Sequence, residues 1–536
     1  MQGYRPHSAP QYMLFGYDPL RDLPDDHLAR LVERVVEETV RPTPKGVRGG
    51  QPAYDPRLCV KVLVYGYCTG LRSSRRLEQH CQESLPYLFL TRGDAPSYRT
   101  LCTARTQEGD YLLAVWEGLF AVAAEAGVHR VGRITVDSTK LRADASPESV
   151  VGRSEFAAVR EELERILAEA EAADAVEGAE AGGPALRLGR AVPHEQMRDI
   201  LRRVRQQRRQ GRGADPVDAA GGAVDDARAT PTLPLAGVPE PDAVAEPDAT
   251  AKPMSPKMLQ RVAQGIEALQ AAEAAGLKHV TLTDPEARMM TGGVDRRTQE
   301  CHSWEVAVDQ GLLVASQTTQ CGNDNDRLEP LVEAARQHEP VGVSAVDGDS
   351  GYFSGDAVGR LIETGLDLCV PDSNTAGDLH RDQPAGTVRA KSQGKVPFVY
   401  DAAADVYRCP EGNILSVYQQ RHQHGQEVTI YRAERDCRDC PLAQDCLVRP
   451  NAQRRRLQVG EYHKILEAAR ERFNEPAHRE RYRARGHAVE TVFGFVRGTL
   501  GFTRWALRGK VRVASEAKLF TLAYQFRKVQ SALQQA

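Results

Sequence analysis

The stretch VSAVDGDSGYFS, residues 343–354, closes a short apolar run on two carboxylates, Asp347 and Asp349. Two residues apart on an extended strand, they fall on the same face. Carboxylates at the end of a buried strand are costly unless something positive is near. They read either as an Asp-Gly turn that ends the strand or as oxygen ligands for a cation. The second reading needs carboxylates from elsewhere in the chain. Asp137 ends a similar run, GRITVDS, and sites in open α/β sheets form at the carboxyl ends of strands. Mg²⁺ takes oxygen ligands. Two such ions about 3.5–4 Å apart activate a nucleophile and stabilise the leaving oxygen in phosphoryl transfer. Glu490 is the candidate third ligand. It sits in RYRARGHAVETVFGFVRGTLGFTRWALRGK beside a helical stripe of Val489, Val492, Phe493 and Val496,. Taken alone, it reads better as an ordinary exposed helix glutamate.

A helical region and a strand–helix alternation must position these groups. Residues 1–130 carry helical periodicity, in LPDDHLARLVERVVEETV and YDPRLCVKVLVYGYCTG above all,. Two further short helices, SSRRLEQHCQ and SYRTLCTARTQ, bear Arg72, Arg75, Arg76, Arg99 and Arg105. They suit either a helix-turn-helix-like DNA-binding region or a bundle with a solvated basic face. After GRITVDS, the residues TKLRADAS could return as the second strand of a hairpin. Residues 154–212 read as charged helices, 213–253 as a flexible acidic linker, and 255–275 as helix again. Residues 279–372 alternate strand and helix, which implies a sheet covered by helices. Residues 373–455 read as loop-rich, and the chain ends in helix.

The chain has 536 residues and a net charge of −3, which conceals an asymmetry. Residues 447–536 hold 19 Lys/Arg against 7 Asp/Glu, whereas residues 211–256 hold 3 against 8. A basic segment of this kind is the footprint of a nucleic-acid binder. No apolar run is long enough to span a membrane, and the first residues lack a secretory pattern, so a cytoplasmic, nucleoid-associated location is expected.

Of 11 cysteines, seven are scattered and read as buried thiols,. Cys409, Cys437, Cys440 and Cys446 are clustered, with a C-x2-C step suited to a closed, structural Zn²⁺ site,. They could also be free thiols, and His422 or His424 could replace Cys409. The three tryptophans read as packing residues. Trp505, among Arg504, Arg508 and Lys510, is the one placed to stack on bases.

Four stretches, in order, resemble the DDE transposases of bacterial insertion sequences. ITVDSTKLRADAS resembles the strand of the first aspartate, with Asp137 as ligand and Lys140 beyond it. DSGYFS resembles the second, which implies Asp349 rather than Asp347. YRARGHAVETVFGFVR resembles the glutamate helix, with Tyr482, Arg485 and Glu490 in order. AYDPRLCVKVLVYGYCTGLRSSRRLEQ resembles the helical N-terminal domain. Arg497 stands where the related signature has lysine, and the Arg485–Glu490 spacing is one residue longer.

The resemblance implies an α/β RNase H-like catalytic domain after an all-α DNA-binding domain at 1–130. The core would be built from 131–150 with 277–372 and completed by 456–536. A helical insertion at 151–276 and a Cys-rich zinc insertion at 373–455 would interrupt it. It further implies two catalytic Mg²⁺ (Mn²⁺ substituting) on Asp137, Asp349 and Glu490. The expected partners are duplex DNA, both terminal repeats and target, bound by a homodimer. The expected phosphate contacts are Lys140, Tyr482, Arg485, Arg497, Arg504, Arg508 and Lys510, with sequence preference from Arg72, Arg75, Arg76 and Arg99. A DNA-binding protein without catalysis, and a nuclease that cuts without joining, remain the alternatives.

Overall fold

The computed structural model of the protein describes residues 22–43, 53–107, 109–181, 197–211, 255–292, 297–339, 342–385, 388–389, 396–423, 426–447 and 452–535. The expected acidic linker and His424 lie outside them. Two compact units emerge, one of residues 145–288 and the other of the rest.

The larger unit opens with six helices: α1 (Leu28–Thr39), α2 (Pro56–Cys68), α3 (Ser74–Glu83), α4 (Leu85–Thr91), α5 (Tyr98–Gln107) and α6 (Gly109–Glu125). Asp55 caps α2, accepting from the Arg57 amide at 2.9 Å, with Pro56 at the first helical position,. Almost every residue of α2 is buried, so it is the central helix of this bundle.

Strand β1 (Arg133–Arg142) follows as one straight strand. TKLR therefore continues the strand of Asp137 instead of returning as a hairpin. Its residues pair with β5 (Arg297–Asp309) along the whole length from Thr135 to Arg142, and that continuous ladder leaves no turn at Ser138.

The smaller unit holds β2 (Val150–Gly152), α7 (Phe156–Ala181), α8 (Met197–Gly211), α9 (Pro256–Ala274) and β3 (His279–Thr281). The two strands pair antiparallel. The helices share a core that includes Phe156, Leu163, Leu201, Val262 and Leu269. Arg203 on α8 meets Glu162 on α7 at 2.5 Å, and Arg160 meets Glu273 at 2.5 Å.

The main sheet adds β4 (Arg288–Gly292), β5 (Arg297–Asp309), β6 (Leu312–Thr319), β7 (Ala345–Asp347) and β8 (Asp367–Cys369) to β1, with helices α10 (Leu328–Arg336), α11 (Gly355–Glu363) and α12 (Ser373–His380). The strand order is β4-β5-β1-β7-β8, and β6 also pairs with β5. The β6–β5–β1 portion is antiparallel, whereas β7 and β8 run parallel to β1.

The region expected to be loop-rich instead forms a second sheet: β9 (Val388–Arg389), β10 (Pro397–Asp401), β11 (Val406–Arg408), β12 (Ile414–Gln423), β13 (Gln426–Ala433) and β14 (Arg456–Gly460), in the order β14-β13-β12-β11-β10-β9. A short helix, α13 (Ala443–Cys446), precedes β14. The chain then closes with α14 (His463–Glu471), α15 (Pro476–Gly494) and α16 (Lys510–Leu533). Trp304 of β5 stacks edge-on against Phe493 of α15 and Phe520 of α16. One continuous core takes in the N-terminal helices, the main sheet, α15 and α16.

Candidate active site

Asp137 and Asp349 belong to neighbouring strands, because β7 pairs parallel with β1 and its Asp347 is in register with Thr135; Asp137 falls in the middle of β1, and Asp349 just past the end of β7. The two aspartates of the opening motif have different surroundings. Asp347 is buried and bound by Arg481 at 2.5 Å, with Arg133 at 3.8 Å. Burial raises its pKa, and Arg481 opposes the rise. Asp349 is half-buried, and its Oδ1 accepts from the Gly351 amide at 2.9 Å, capping the turn Ser350–Tyr352.

The Asp137 carboxyl is pushed up to about 7, chiefly by burial. Asp349 and Asp324 add to the rise, while the Ser138 amide and Arg485 oppose it. Asp324 is a member of this site that the sequence reading passed over. It lies in CGNDNDRLEP, the loop entering α10. It accepts from the Ser138 hydroxyl at 3.0 Å, and Asp349 and Lys140 both act on its charge. The only hint in the sequence was a cluster of Asp and Asn before a helix, which reads as a cap.

Helix α15 lies against β1, β5, β7 and β8. It presents Arg481 to Asp347 and Arg485 toward Asp137. Tyr482 is buried below them and accepts from Arg485 at 3.2 Å. Glu490 is on the exposed side of the same helix. No group of three or more His, Cys, Asp or Glu side chains among the described residues is arranged to hold a metal. Chemically, Asp137, Asp349 and Asp324 are oxygen donors of the kind a hard dication takes, and they act on one another's charge, although as they stand they are not gathered into a ligand set,.

The chain widens into a π turn over Phe495–Thr499 just after α15. This turns Arg497 inward, where it donates to the Thr139 hydroxyl and to the Lys140 carbonyl at 3.5 Å. Arg497 thus braces β1 from the side, and burial lowers its pKa. Arg504 and Arg508 both grip Asp144, at 3.2 and 2.9 Å, and Lys510 is exposed at the start of α16.

Among the N-terminal arginines, Arg72 is part of the architecture. It donates to the Arg504 carbonyl at 2.7 Å, reaches the buried Glu516 at 3.4 Å and lies over the Phe502 ring. Arg75 and Arg99 are exposed and flank the Tyr98 ring, and Arg76 is exposed beside them. Trp505 is fully buried, stacked on Phe520, and donates to the His302 carbonyl at 3.3 Å. It is a packing residue like the other two tryptophans and cannot stack on a base.

Cys409, Cys437, Cys440 and Cys446 all line one cavity of about 240 Å³. The Asn413 amide donates to Cys409 Sγ at 3.2 Å, and its side chain lies 3.7 Å from Cys437 Sγ. Donors aimed at sulfur are what thiolate ligands need around them. Buried Arg455 closes the cavity and donates to the Cys446 carbonyl at 2.7 Å. The donor set therefore fits Zn²⁺, although the sulfurs as they stand do not form a closed ligand cage. His422 is exposed and does not line the cavity.

Residues 408–530 match the family model described as a transposase DDE domain, and residues 18–107 match one described as a transposase domain (DUF772). The first covers Glu490 and the four cysteines; neither reaches Asp137 or Asp349. No curated protein and no solved structure matches the chain. Both transposase family models match within one chain, on a mixed α/β sheet preceded by helices, and together they support a DDE transposase of insertion-sequence type.

Proposed function

We propose that the chain cuts DNA at the ends of its element and joins the freed 3′-OH to target DNA, using Asp137, Asp349 and Glu490. The observation that carries this reading is the placement of Asp137, within β1, beside Asp349, just past the end of the parallel neighbour β7, with Arg485 acting on Asp137. The order of three antiparallel strands followed by two parallel ones supports an RNase H-like core. In this reading 1–130 binds DNA, residues 151–276 and 373–455 are insertions, and the enzyme works as a homodimer on terminal repeats.

Asp137, Asp349 and Glu490 would hold two Mg²⁺, with Asp324 beside them. When bound, such ions neutralise phosphate charge and activate the attacking oxygen. The chain itself supplies position. Arg497 and the β5 ladder fix β1, and Asp347–Arg481 fixes the end of β7. Arg485 sits where it can meet a phosphate oxygen as well as Asp137. The four cysteines would hold a structural Zn²⁺.

The test is a cleavage and strand-transfer assay on labelled element ends with Mg²⁺. Cleaved and joined products together support the proposal. Cleavage without joining identifies a nuclease, and binding without cleavage a silent DNA-binding protein.

A further inference from the structure

The second sheet packs one face into its core and carries a group of arginines on the other, where Val428 and Ile430 are covered as well. Tyr407, Leu415, Tyr431, Ala433 and Leu457 turn into its core. By cross-strand register, Ser416, Arg432 and Arg456 share the opposite face. A bulge in β12 between Val417 and Gln419 shifts the pairing there, and Tyr418 stands out beside these arginines, 45% exposed. The guanidinium carbon of Arg432 lies 3.7 Å from the centre of the Tyr418 ring, and that of Arg456 lies 5.3 Å from it. Arg421, past the bulge on β12, reaches Gln458 of β14 at 3.5 Å.

Arg421, Arg432 and Arg456 have no carboxylate partner among the described residues. Their neighbours Arg408 and Arg438 do, in Asp401 and Asp436. Arg432 and Arg456 are also directly opposite each other on adjacent strands. Like charges opposite one another destabilise a sheet, so a merely solvated face gains by alternating signs. A guanidinium stacked on an aromatic ring uses its flat face and keeps its in-plane N–H edge free. That edge matches a phosphate bidentately. The ring therefore holds the arginines in place and leaves their donors outward.

We propose that this sheet face binds the sugar–phosphate backbone of DNA, through Arg421, Arg432 and Arg456, with Tyr418 as the positioning residue. The inference rests on the transposase reading for its polyanion, and it assigns that polyanion a surface away from the carboxylates. Each phosphate contact releases condensed counterions, so each adds about 0.9 to the slope of log affinity against log salt.

The experiment titrates the full chain onto fluorescent duplexes of end and scrambled sequence across a salt series. R432Q/R456Q should bind both duplexes more weakly, to the same extent, with a slope shallower by about two units. Tyr418→Ala should weaken binding in the same way, and Tyr418→Phe should restore it, because phenylalanine retains the cation–π face. Wild-type affinity and slope in R432Q/R456Q would overturn the sheet-face assignment while leaving the transposase reading intact. A wild-type chain with no salt-dependent DNA binding would overturn both. If R432Q/R456Q binds DNA normally but loses self-association, the face is a protein interface and the proposal falls.

Discussion

At the scale of single residues, two aspartates two positions apart do different work. Asp347 is spent on Arg481, whereas Asp349 caps a turn with one oxygen and has the other available. Asp349→Ala should abolish cleavage with a stability cost near 1 kcal/mol, the loss of a cap. Asp347→Ala leaves Arg481 buried with half its partners and should cost about 3 kcal/mol. Urea unfolding alongside the cleavage assay separates the two, and the reverse pattern would exchange their roles. Asp324 poses a sharper question, since it stands nearer Asp137 than the expected glutamate does in its electrostatic influence. If Glu490 is the third ligand, Glu490→Gln should eliminate cleavage and Asp324→Asn should reduce it with a changed preference between Mg²⁺ and Mn²⁺. Abolition by Asp324→Asn alone would assign the ligand role to Asp324. The local pattern marks Asp137 and Asp349 as carboxylates closing apolar runs, although β1 continues past Asp137 to Arg142. It did not expose Asp324, whose meeting with Ser138 joins a loop to a strand far away in the chain.

Elements carry two further expectations. The cysteine cavity lies between the second sheet and α13, so metal there ties β11, β13 and the segment before β14 together. Freshly purified, reduced protein should contain about one Zn²⁺ per chain by elemental analysis, and chelation should lower the melting temperature of this region. A metal-free but fully folded sheet would refute it. The entry to β1 holds the second. Asp309 Oδ2 accepts from the amides of Val131 and Gly132, each at 2.7 Å, and Glu339 lies beside it with a carboxyl pushed up to about 7, first by burial and then by Asp309. The folded chain therefore keeps a proton that the unfolded chain has already released. Its contribution is fully present below the ordinary value of 4.5 and is lost as pH rises through about 7,. Melting curves across that window should fall less steeply for Glu339→Gln than for the wild type. Legibility also divides here by element. The helices of the N-terminal region follow their periodicity. The second sheet did not announce itself, since the bulge at Tyr418 breaks the alternation of ILSVYQQRHQ by one residue and reverses which face each later side chain takes,.

At the scale of the whole molecule, α16 is the element that makes one body of distant parts. It packs on α2, α6 and β6, and its Glu516 is bound by the Ala506 and Leu507 amides and approached by Arg72. Stopping the chain after Gly509 should therefore unfold the N-terminal helices as well as the sheet, and end-DNA binding should vanish with them. A truncated chain that still bound end DNA specifically would show that residues 1–130 fold alone. Nothing local in the sequence of α2 indicates this partner, because an all-buried helix reads the same whichever surface covers it.

That dependence on the last helix has a consequence for synthesis. On the ribosome, the N-terminal helices emerge long before the helix that covers them. Until α16 has emerged, an apolar α2 is left without its lid, a state that invites chaperone capture. Folding of the N-terminal helices would thus wait on translation of α16, and a chain interrupted before it would leave α2 uncovered for good.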